Sequence, residues 1–113
     1  MNPQARFKLW FEVDGKPVIG DGRVELLASI DECGSLSEAA RRGGISYRQA
    51  YNLISILNRR CGVRIVETSI GGKSGGGTRL TGEGQKLVRE YVSLKRDLEK
   101  RVRAFDKKRP SQQ

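Results

Sequence analysis

The chain has 113 residues, 22 Lys and Arg against 13 Asp and Glu, and a formal net charge of +9. That length suits one domain with no separate ligand-sensing domain beside it, and the sign of the charge favours polyanionic partners such as nucleic acid. No apolar run approaches the roughly 20 residues of a membrane span, no secretory core opens the chain, and no histidine accompanies the 2 cysteines, so neither a membrane span nor a zinc site is expected and the protein reads as cytoplasmic.

Charge is unevenly spread. Residues 1–34 carry four basic and six acidic side chains, which leaves a net +11 on the rest of the chain. Phe7, Leu9, Phe11 and Val13 alternate with Lys8, Trp10 and Glu12, a period of two that predicts a strand with Trp10 on its outer face. Asp14-Gly15 predicts a tight hairpin turn, and Pro17-Val18-Ile19 a short returning edge strand.

Asp21 is the expected cap of a helix running to about Asp31, with Val24, Leu27 and Ala28 inward and Gly34 as its stop. Ser35-Leu36-Ser37-Glu38 has the spacing of a capping box, and Gly43-Gly44 limit the helix it opens to about two turns. Ser46-Tyr47-Arg48-Gln49 repeats that box and starts a helix to about Arg60. Ala50, Leu53, Ile54 and Leu57 form its core face, while Arg48, Asn52, Ser55 and Arg59 share a polar one.

Gly62 ends that helix. Val63 to Thr68 is β-branched enough for a strand, and Thr78-Arg79-Leu80 for a second strand paired to it. The intervening Gly71-Gly72-Lys73-Ser74-Gly75-Gly76-Gly77 reads as an exposed loop. Gly72-Lys73-Ser74 looks like the end of a nucleotide-binding phosphate loop, but that pattern needs glycine where Glu67 stands and a helix afterwards, where a strand follows. Thr81 caps a last helix in which Leu87, Tyr91, Leu94, Leu98, Val102 and Phe105 recur by threes and fours. Such a stripe outruns so small a domain, so these six residues are the expected interface of a homodimer.

Two short capped helices joined by a glycine turn, followed by strand, glycine loop and strand, describe a winged helix-turn-helix. The predicted fold class is therefore mostly α with a small β wing (α+β): an N-terminal β-hairpin over 1–20, the winged helix-turn-helix over 21–80, a long dimerisation helix over 81–106 and a disordered basic tail over 107–113. In this geometry the helix opened by Ser46 enters the major groove of double-stranded DNA. Arg48, Gln49 and Asn52 are the expected base readers, because their donors and acceptors match guanine and adenine edges. Arg59 and Lys73, with the hydroxyls of Ser35, Ser37, Ser46, Tyr47 and Thr68, suit phosphates; Tyr51 and Ser55 complete the helix face, and Gly72, Ser74 and Gly75 let the wing backbone approach DNA.

No catalytic residue, metal ligand or cofactor is expected, since the chain has no histidine, no paired-carboxylate setting and no nucleophile beside a base. Cys33 and Cys61 read as small, partly buried side chains in a reducing compartment, with redox pairing as the alternative.

Residues 22 to about 91 resemble the N-terminal DNA-binding domain of molybdate-dependent transcription regulators, the ModE family. The carrying segments are Gly34-Ser35-Leu36-Ser37-Glu38-Ala39-Ala40, Ile45-Ser46-Tyr47-Arg48-Gln49-Ala50-Tyr51, Asn58, Glu67-Thr68, the glycine loop and Leu80-Thr81-x-x-Gly84. The first and last are shared with the wider LysR-type helix-turn-helix group; the Ser-Tyr-Arg start together with the glycine wing is more specific. The resemblance implies a dimer that binds an inverted-repeat operator with both recognition helices and wings. Members of that family sense molybdate through C-terminal domains. This chain ends soon after its long helix, so neither molybdate nor any other small-molecule ligand is expected in it: it reads as a stand-alone DNA-binding form, as one that takes its signal from another protein, or as a fragment. An architectural, nucleoid-coating role of low sequence specificity is the alternative function.

Overall fold

The computed structural model describes residues 1–69 and 77–108. β1 (Phe11–Val13) and β2 (Lys16–Ile19) form an antiparallel hairpin whose turn residues, Asp14 and Gly15, have φ of 51° and 76°. Two positive φ values in succession are what the Asp-Gly dipeptide supplies. The strand is shorter than its alternation predicts. Phe11 already lies opposite Ile19, the last residue of β2, so residues 7–10 have no partner to pair with and Phe7 is left 39% exposed.

α1 (Asp21–Cys33) starts after Gly20, and Asp21 is not its cap. The Asp21 carboxylate instead accepts hydrogen bonds from the Tyr91 hydroxyl and from the Lys95 ammonium at 2.7 Å, two groups far along the chain. The helix ends where Gly34, at φ 67°, donates its N–H to the Ile30 carbonyl at 2.8 Å.

α2 (Leu36–Arg42) has half of its expected capping box: Ser35 Oγ accepts from the Glu38 N–H at 3.1 Å, but Glu38 does not reach back. Arg41 and Arg42 hold the Glu38 carboxylate, since charged partners one turn ahead outcompete a neutral N–H. In α3 (Tyr47–Cys61) the box is complete, with Gln49 N–H donating to Ser46 Oγ at 3.0 Å and Ser46 N–H to Gln49 Oε1 at 2.9 Å.

β3 (Val66–Ser69) and β4 (Gly77–Leu80) pair antiparallel, Val66 opposite Leu80 and Ser69 opposite Gly77. The strand expected from Val63 begins three residues late because Asn58 intervenes: its Oδ1 accepts the N–H groups of Ile65 and Val66, and its Nδ2 donates to the Val66 carbonyl. The expected glycine loop lies, apart from Gly77, outside the described residues. β4 is pinned at its other edge, where the Thr78 N–H donates to the Gly34 carbonyl at 3.0 Å.

α4 (Gly82–Lys108) opens on Thr81, whose Oγ1 accepts the Gly84 N–H at 3.1 Å. It continues through Lys107 and Lys108, which the sequence reading assigned to a tail; residues 109–113 lie outside the described residues. Within α4 only Gly84 and Tyr91 are buried. Tyr91 is thereby removed from the expected dimer stripe: it is fully buried in the chain's own core, edge-on to Phe11, with its hydroxyl between Asp21 and the Leu9 carbonyl. With it Ile19, Leu27, Ile30, Ala39, Leu57 and Val66 form a core drawn from the hairpin, the first three helices and the wing base.

Beyond Tyr91 the helix leaves that core, and the molecule measures 66 × 29 × 21 Å. The N-terminal segment follows it, with the Ala5 N–H donating to the Asp106 carboxylate at 3.2 Å.

Candidate nucleic-acid interface

The packing of α3 determines what it presents. Ala50, Ile54 and Leu57 are buried and Leu53 half-buried, so one side of the helix is spent on the core. Arg48, Asn52, Ser55 and Arg59 recur by fours and threes on the other side and are all exposed. Among the described residues neither Arg48 nor Arg59 has an ion-pair partner. Arg41 and Arg42 are engaged by Glu38 and Glu32. The first turn of α3 holds no acidic residue, so no carboxylate of that turn opposes the positive end of its dipole.

Tyr47 and Tyr51 flank this stripe. Their rings stack at 6.5 Å between centroids and 23° between planes, and the two residues are 53% and 56% exposed. Gln49 is exposed too, but its amide oxygen is committed to the Ser46 N–H. Bidentate recognition of adenine needs that oxygen as well as the NH₂, so such a contact would open the capping box.

The remaining sequence-predicted positions are dispersed. Ser35 is half-buried with its Oγ accepting from Glu38, whereas Ser37 and Ser46 are exposed at the starts of their helices. Thr68 is exposed on β3. Gly72, Lys73, Ser74 and Gly75 lie outside the described residues. The wing arms that lead toward them are crossed by an ion pair between Glu67 and Arg79 at 2.6 Å, on directly opposed residues.

Asn58 is the residue whose role sequence reasoning missed. Its three hydrogen bonds tie the C-terminal half of α3 to the root of the wing, setting one element against the other. The only local signal is an amide on a helix followed by a glycine and a β-branched run, which does not specify these partners.

Tyr91 and Asp21, both perturbed, lie off the exposed face of α3. Burial, reinforced by the neighbouring Asp21 carboxylate, pushes the Tyr91 phenol up to about 12, and the Lys95 and Tyr91 hydrogen bonds hold Asp21 below the usual carboxylate range. Cys33 donates its thiol to the Ser35 carbonyl at 3.4 Å, and burial raises the Cys61 thiol; among the described residues both are free thiols. A groove of about 970 Å³ lies under the N-terminal segment along α1 and includes Leu53 as its single α3 residue. The described residues contain no cluster fit to hold a metal ion and no helix long and apolar enough to cross a membrane.

Residues 22–85 match the model of the bacterial regulatory helix-turn-helix proteins of the lysR family. The chain is 38% identical over 89 residues to the molybdenum-pterin-binding protein MopB of Rhodobacter capsulatus, covering 79% of this chain and 33% of that protein. It is 37% identical over 103 residues to the DNA-binding transcriptional dual regulator ModE of Escherichia coli, covering 91% of this chain and 38% of that one. The chain thus spans about a third of the length of these relatives. Among solved structures it resembles the BenM DNA-binding domain in complex with catB site 1 DNA, with a TM-score of 0.57 and 17% identity over 82% of this chain and 99% of that one. At that identity the likeness establishes the winged-helix fold.

Proposed function

This chain belongs to the bacterial regulatory helix-turn-helix proteins of the lysR family, and on that premise we propose that it is a cytoplasmic, nucleoid-bound transcription regulator that binds an inverted-repeat operator as a homodimer. The observation that carries the reading is the exposed face of α3, where Arg48 and Arg59 have no ion-pair partner among the described residues and Asn52 and Ser55 lie between them. Arg48 donates to a guanine edge and Asn52 pairs with adenine; Arg59, Ser37, Ser46 and Thr68 take phosphates. Gln49 supports the helix start through its capping bond, and the wing, including Gly72, Lys73, Ser74 and Gly75, lies along the backbone. Leu87, Leu94, Leu98, Val102 and Phe105 join the two α4 helices. The reading gives the chain no catalytic role, cofactor or small-molecule ligand of its own.

Selection from random duplex DNA tests it. The expected product is an inverted repeat whose half-sites lie about 10 bp apart or a multiple of that spacing. Arg48→Ala is expected to cost about 1–3 kcal/mol at one base position, whereas Lys73→Ala weakens all sequences alike and flattens the salt dependence. Equal affinity for selected and bulk genomic DNA would overturn site-specific regulation in favour of a coating role.

A further inference from the structure

The Tyr47–Tyr51 pair is left over once the polar stripe of α3 has been assigned. More than half of each residue is exposed, the rings are stacked on each other, and neither hydroxyl has a hydrogen-bond partner among the described residues. The pair sits at the first and fifth positions of α3, next to Arg48 and Asn52 at the second and sixth, so it lies in the same turns of the helix as the side chains assigned to base edges. One-turn spacing and mutual stacking make it a preformed apolar step with little side-chain freedom to lose. The apolar group that base pairs present in the major groove is the thymine 5-methyl.

We propose that Tyr47 and Tyr51 form a thymine-selecting surface, packing against the 5-methyl groups of one or two thymines in each half-site beside the base read by Arg48. This rests on the reading that α3 enters the major groove, and it adds a source of specificity that acts by shape and burial. The hydrogen-bonding side chains distinguish guanine and adenine; the ring pair distinguishes a methylated from an unmethylated pyrimidine position. The tyrosines therefore act on pyrimidine identity without donating to the base.

The test uses the full chain and the selected duplex, with each thymine replaced in turn by deoxyuridine, which removes the 5-methyl and keeps the pairing. Fluorescence anisotropy is expected to show about fourfold weaker binding for each contacted methyl removed, at one or two positions per half-site. Tyr51→Ala and Tyr47→Ala should erase that sensitivity, while Tyr51→Phe and Tyr47→Phe should keep it. Both side chains are exposed, so the variants are expected to retain the wild-type thermal melt, which is measured alongside. If every deoxyuridine is neutral within a duplex that is otherwise bound selectively, the thymine proposal fails alone. Phenylalanine variants that lose as much affinity as the alanine ones would also overturn it, by showing that the hydroxyls and not the rings make the contact. Absence of any preferred sequence overturns the operator reading and this one with it.

Discussion

Asn58 uses both atoms of its amide on the chain seven and eight residues ahead, accepting from the Ile65 and Val66 N–H groups and donating to the Val66 carbonyl. Asn58→Ala strands those three backbone groups, and a loss of about 1–3 kcal/mol in urea-melt stability is expected; no loss would mean that water replaces the amide. Tyr91 offers a pH readout. Its phenol is raised from 10.0 to about 12, so the protonated form is favoured in the folded state. Stability from this group is complete below pH 10 and declines as pH rises through about 12, which alkaline denaturation of wild type against Tyr91→Phe would register as a shallower decline in the variant. Asp21 and Tyr91 also show why single residues are hard to read in the sequence. An aspartate just before an apolar run looks like a helix cap, and a tyrosine in a helical stripe looks like an interface residue; both assignments fail because these residues find each other across 70 positions.

Helix starts were largely legible because their determinants are local. The Ser46 box closes within three residues, and Ser46→Ala is expected to cost about 1 kcal/mol in thermal or urea denaturation. The Ser35 box closes halfway, since its glutamate has arginines within one turn on the same helix. Strand boundaries were less legible, because they depend on distant partners: β1 starts only where Ile19, the end of β2, stands opposite it, and β3 starts late because Asn58 takes the N–H groups of Ile65 and Val66. Gly84 in α4 shows the same dependence on a distant partner. A Cβ built there would lie 2.2 Å from the Ile65 carbonyl oxygen, so Gly84→Ala should cost about 1–3 kcal/mol through forced backbone movement, readable as a lowered urea midpoint at unchanged slope.

At the scale of the molecule, the radius of gyration is 17.6 Å, against about 13 Å for a compact chain of this length. The excess comes from α4, whose 27 residues extend about 40 Å, past the core they pack on. Leu94 is 41% exposed on this projecting part, with Leu98 and Val102 half-buried. Sedimentation is expected to give a dimer for the wild type and a monomer of similar melting temperature for Leu94→Glu; a wild-type monomer would remove α4 as the joining element. The order of elements and the winged-helix class were readable from caps, periods and glycines. The chain's own use of Tyr91 and the N-terminal segment was not, because periodicity marks an apolar face without saying which neighbour covers it.

The tight seat of Gly84 against Ile65 gives α4 a mechanical property. From there to Lys108 the rod is a lever arm of about 36 Å. With no room there for a Cβ, α4 lies close against Ile65, whose carbonyl accepts the Thr81 N–H at 2.9 Å and which directly precedes β3. A sideways step of about 2 Å at the far tip corresponds to a tilt of about 3° at the pivot, by the same helix geometry. The distal end of α4 is thus joined, through one unbroken helix, to the residue next to the root of the wing.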